Sequence, residues 1–152
     1  MKRWIILSLL TMFLIILLLS PEVSRAMRPP ERKPRFAPLH IYLDSGKNPL
    51  AAYQFELKAV TGKIKIVGVE GGENKAFKEA PYYDPAALAK DRIIIAAFNT
   101  SSDLPKGRTR IATIHLQITG AEPEYKLKIT VAGDAKGQEI PAELDFEKGD
   151  KK

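Results

Sequence analysis

The sequence predicts an all-β domain, a two-layer antiparallel β-sandwich with one short helix, preceded by an N-terminal hydrophobic signal or anchor helix. Three observations carry this expectation. Beyond residue 38, apolar residues fall mostly on every second position, the period of a half-buried strand. Clusters of Gly, Pro, Asn, Asp and Ser separate these runs at short intervals. The chain has 152 residues and no cysteine, so one domain must hold itself together by its core alone.

The N-terminal segment stands apart. Trp4 to Leu19 is an apolar run behind Lys2 and Arg3 and ahead of Ser24-Arg25-Ala26. A basic start, an apolar centre and small residues at the last and third-last positions describe an export signal cleaved after Ala26. The run is only slightly short of the roughly 20 residues of an upright membrane helix. Two fates therefore stay open for residues 1–26. Cleavage gives a secreted or periplasmic domain. Retention gives a membrane anchor with Lys2 and Arg3 inside and the domain outside the cytoplasm.

The formal net charge of +6 is unevenly spread. Residues 27–38, MRPPERKPRFAP, carry Arg28, Arg32, Lys33 and Arg35 against Glu31, and four prolines. This reads as an extended basic linker. The domain that follows, residues 39–146, is close to neutral, which argues against a nucleic-acid partner. Residues 147–152 form a charged tail.

The elements follow in order. Leu39, Ile41 and Leu43 share one side of a first strand, with the turn cluster Asp44 to Pro49 behind it. In the stretch from Leu50 to Glu70, Ala51, Tyr53, Phe55, Leu57 and Ala59 form one apolar stripe. After a reversal at Thr61-Gly62, Ile64 and Ile66 form another, and the two strands read as neighbours. Val67 and Val69 continue in the opposite phase around Gly68, the mark of a bulge or bend. Glu79 to Tyr83 reads as extended loop. Asp84 to Lys90 fits a short helix with Asp84 as N-cap and Pro85 at its first position. Arg92 to Phe98 is apolar without alternation, as expected of a central strand buried on both faces. Ala112, Ile114, Leu116 and Ile118 face inward on the next strand, and Tyr125, Leu127, Ile129 and Val131 on the one after. Ile140, Ala142, Leu144 and Phe146 are in phase on a last strand. Pro141 within it argues for a sheet edge.

These residues resemble a known family. Ser45-Gly46, Leu50 to Leu57 and Val67 to Gly72 look like the opening of a cohesin-type domain. The spacing of Ile94 to Asn99 and Gly107 to Ile118, and the turn Asp134 to Ile140, are also similar to that family. The resemblance covers Leu39 to about Phe146 and implies a jelly-roll sandwich related to carbohydrate-binding-module folds. It departs at Lys58 to Gly62, where the family has Tyr-Asp-Pro; that tripeptide falls here at Tyr83-Asp84-Pro85. The resemblance therefore carries over the fold and no functional residue.

No constellation for catalysis stands out. His40 and His115 lie on polar strand faces without a third ligand in view. There is no nucleophile elbow and no phosphate loop. Asp44, Asp84, Asp103 and Asp134 sit in turns or caps without the spacing of a calcium loop. Asn99-Thr100-Ser101 has the form of a glycosylation sequon. No metal or cofactor is expected. The candidate binding residues are Tyr82 and Tyr83, adjacent aromatics outside the regular strands. The expectation is a non-catalytic, exported protein-interaction module, with a dockerin-like or envelope protein as partner. The alternatives are a carbohydrate-binding module holding a polysaccharide through its loop aromatics, and a structural cell-envelope component. Membrane contact is expected only through residues 1–26.

Overall fold

The computed structural model describes residues 33–149. The expected signal or anchor and the first half of the linker lie outside the described residues. Eight strands form: β1 (Arg35–Asp44), β2 (Ala52–Ala59), β3 (Lys63–Gly71), β4 (Tyr82–Tyr83), β5 (Arg92–Phe98), β6 (Arg108–Thr119), β7 (Tyr125–Gly133) and β8 (Glu143–Lys148). They build two four-stranded sheets, ordered β3-β6-β1-β8 and β4-β5-β2-β7, with every pairing antiparallel. Mostly antiparallel strands, almost no helix and two facing apolar layers make this a β-sandwich.

The alternation read from the sequence builds its core. Leu39, Ile41 and Leu43 of β1 are buried, as are Ile114, Leu116 and Ile118 of β6. From the other sheet come Tyr53, Phe55, Leu57 and Ala59 of β2, and both sets belong to one apolar cluster. Each large side chain removed from water contributes roughly 1.5–3 kcal/mol before entropy is counted. Tyr53 keeps its one polar atom satisfied inside this core, donating from its hydroxyl to the carbonyl of Ile111 at 2.9 Å. Burial pushes the Tyr53 phenol well above its ordinary pKa.

The structure corrects the expected connectivity. The two strands between Leu50 and Glu70 are not partners: β2 and β3 lie in different sheets. The reversal at Thr61-Gly62 is a crossover between layers, held by the Val60 amide on the carbonyl of Glu124 and the Glu124 amide on Thr61 Oγ1. The expected bulge beside Gly68 is present as a register shift between Ile66 and Gly68. Val67 turns out to solvent there, and Val69 returns to the core side.

Several boundaries also move. β1 begins at Arg35, four residues inside the stretch read as linker, and β8 runs to Lys148, two residues into the tail. Pro141 precedes β8 rather than lying within it, and β8 does form a sheet edge. The expected helix shrinks to a single 3-10 turn, Pro85–Ala87. Asp84 does cap it, its Oδ1 accepting from the Ala86 amide at 2.9 Å. A second 3-10 turn, Lys75–Phe77, was not expected; Asn74 caps it and Phe77 buries its ring beside Tyr53. Two β7 residues exchange faces. A register shift opposite Gln54 and Phe55 turns Val131 outward and Ala132 into the core.

Candidate functional site

β5 was expected to be buried on both faces, and it is not. Ile93 and Ile95 are buried, whereas Ile94 and Phe98 keep 44% and 66% of their surface exposed. The two sheets pack through their inner faces only, so the outward side of β5 has no layer over it among the described residues. β4, the edge strand beside it, has two residues and pairs only with Ile95 and Ala96.

That outward side belongs to one continuous face across β4, β5, β2 and β7. Cross-strand register assigns its members. Tyr82 lies opposite Ala96, Ala96 opposite Gln54, and Gln54 opposite Val131. Phe98 lies opposite Ala52, one step along. Seven large apolar side chains stand exposed among the described residues, and four of them are here: Tyr82, Phe98, Ile94 and Val131. Tyr82 and Phe98 stack nearly parallel, with ring centroids 6.2 Å apart and planes 10° apart. Gathered exposed apolar side chains mark contact surfaces more often than scattered ones do.

The face changes character along the strands. Beyond the apolar end, Arg92, Lys58 and Lys126 lie directly opposite one another across β5, β2 and β7. Lys128 lies opposite Glu56. Glu56 binds Arg92 at 2.5 Å, and this bond holds its carboxyl below the ordinary value, with the neighbouring lysines adding to the effect. The domain is nearly neutral in total, yet its cations are not evenly dispersed. An open groove of about 600 Å³ borders the β4–β5 margin, with Tyr82, Asp84, Lys90, Arg92 and Ile94 among its walls.

The two expected site residues are parted by the fold. Being consecutive in a strand, they point to opposite sides. Tyr82 joins the exposed shelf, and Tyr83 packs against the core. Phe98, Ile94 and Val131, which complete the shelf, were assigned to the interior in the sequence. For β5 the sequence held no signal of this, because an almost wholly apolar run does not mark which of its faces is covered.

The histidines occupy the other sheet. His40 Nδ1 lies 3.0 Å from Thr113 Oγ1. His115 Nε2 is 3.1 Å from Glu70 Oε1, without the alignment of a hydrogen bond. Both features border or adjoin the outer side of β1 and β6, where Phe36, Pro38, Val67, Gly68 and His115 frame a hollow of about 490 Å³. Among the described residues, no group of three or more His, Cys, Asp or Glu side chains is placed to hold a metal ion. The sequon asparagine is engaged in the fold: Asn99 Nδ2 donates to the Ala76 carbonyl at 2.8 Å, and Asn99 Oδ1 accepts from the Ser101 amide at 2.7 Å. No family model matches the chain, and neither a curated protein nor a solved structure matches it.

Proposed function

We propose that this chain is an exported, non-catalytic protein-interaction module that binds its partner through the outer face of β4, β5, β2 and β7. The observation that carries the reading is the gathering of Tyr82, Phe98, Ile94 and Val131 on one sheet face. Exposed aromatic side chains on a rigid scaffold are favoured anchors of protein contacts, and apolar neighbours around them help to exclude water. The face holds no gathered acid, base and nucleophile, which is why a binding role is preferred to a reaction.

The finer fold reading is a cohesin-like jelly roll. Its support is the nested pairing of the strands: β1 with β8, β2 with β7, β3 with β6, and β4 with β5. This is one long antiparallel ribbon folded over into two sheets, the plan of a jelly roll.

Site-specific photocrosslinking in the native cells tests the proposal. A photoreactive side chain at position 98 gives a discrete crosslinked partner, and one at position 63 on the other sheet does not. Identical patterns at the two positions would overturn the reading. The stacked pair Tyr82 and Phe98 favours a second reading, a carbohydrate-binding module, because parallel exposed rings also suit sugar stacking. Binding on a glycan array that disappears in Tyr82→Ala favours that module; a blank array removes it.

A further inference from the structure

The cationic end of the same face is arranged against its own stability. Arg92, Lys58 and Lys126 form a cross-strand row of three like charges, with Lys128 beside them. Like charges directly opposite in a sheet repel. Glu56 is the one carboxylate in register with them, and it is held by Arg92. No ion pair forms at Lys58, Lys126 or Lys128 among the described residues. The other sheet handles charge differently. Arg108 there binds both Asp145 and Glu147, at 3.0 and 2.7 Å, and lies over the ring of Tyr42.

We infer that the partner presents an acidic protein segment whose carboxylates settle on Lys58, Lys126 and Lys128 while an adjoining aromatic or aliphatic side chain docks on the Tyr82 and Phe98 shelf. This rests on the binding face proposed above and names the chemistry of what it takes. The dimensions suit a polypeptide. From the Ala52 row to the Lys58 row is about 20 Å along the strands, and four strands span roughly 15 Å. A partner helix of about 13 residues covers that length. A membrane surface suits it less well. Lipid takes apolar groups deeper than cationic ones, and here both kinds project from the same face of the same strands. Ile94 and Val131 offer a sugar ring nothing to stack on, which makes an acidic polysaccharide the weaker match.

The test pans a random 16-residue peptide display library on the protein as purified from its native cells, immobilised through its C-terminus. Three forms are compared: wild type, the triple variant Lys58→Glu, Lys126→Glu, Lys128→Glu, and the double variant Tyr82→Ser, Phe98→Ser. Wild type is expected to enrich peptides that combine Asp or Glu with an aromatic or aliphatic residue. The best of these should bind the charge-reversed form at least tenfold more weakly, and weaken with added salt. Peptides without acidic enrichment, but lost in the double variant, overturn this inference and leave the binding face standing. Peptides indifferent to both variants overturn both. Lysine-dependent binding of vesicles rich in phosphatidylglycerol, or of polygalacturonate, in the absence of acidic peptide selection assigns the cations to lipid or polysaccharide and overturns the protein segment. Circular dichroism on each variant ensures that a folded domain is compared.

Discussion

Single side chains do specific structural work at two points, one buried and one half-buried. The Tyr53 hydroxyl reaches the carbonyl of Ile111, and that residue is the extra one in β6 where the register with β1 shifts between Ile41 and Tyr42. Tyr53→Phe keeps the ring and strands the carbonyl, so it should cost about 1–2 kcal/mol in urea unfolding. Asn99 ties the end of β5 to the Lys75–Phe77 turn through Ala76. Asn99→Ala should cost about 1 kcal/mol by the same measurement. A glycan on Asn99, seen as a mass shift in the exported protein, would contradict the structural role given to that amide. Gly72 is needed for another reason. A Cβ there would overlap the carbonyl oxygen of Arg110, so no larger residue fits without moving the backbone.

Elements decide which face a residue serves. Within β5, Ile93→Ala should cost about 2–5 kcal/mol, as expected for a fully buried side chain. Phe98→Ser, five residues along the same strand but on its exposed face, should stay within about 0.5 kcal/mol. Equal costs at the two positions would refute the alternation seen here. Lys126→Glu should stabilise the free domain by about 0.2–1 kcal/mol, by relieving repulsion from Lys58. The strands whose polar and apolar residues alternate, β1 and β2, were legible from sequence because burial there follows composition, whereas β6 also buries Thr109 and Thr113. β5 was not, since all but one of its residues are apolar and composition cannot say which face is covered. Val131 was misplaced because a bulge leaves no mark in a run whose residues are all compatible with a strand. Pairing across layers was also hidden: Thr61-Gly62 reads the same whether it closes a hairpin or crosses to the other sheet.

Stability of the whole domain should fall at both ends of the pH scale. Glu122 is held below its ordinary value chiefly by Lys148, and Asp145 by Arg108; Glu56 is lowered likewise by Arg92. A lowered carboxyl binds fewer protons folded than unfolded. Its contribution is complete above the ordinary range and is lost as pH falls through the lowered folded-state values. Because these groups are largely exposed, the acid loss should be gentle and should weaken further in salt. Tyr125 behaves oppositely. Burial, its largest cause, raises the phenol from 10.0 to about 12. The folded state keeps that proton longer, so stability is full below pH 10 and declines as pH rises toward 12. Urea midpoints measured across both ranges check the signs, and a midpoint rising under either extreme would contradict them.

The position of β1 has a mechanical consequence. It lies inside its sheet, with β6 on one side along its whole length and β8 on the other from Leu39 to Asp44. Antiparallel hydrogen bonds run across the strands. A pull on the chain at Lys33 is therefore directed into a strand clamped from both sides, where many bonds resist sliding together instead of parting one by one. The strand through which a tether would tug the domain is thus one of its internal, doubly paired strands.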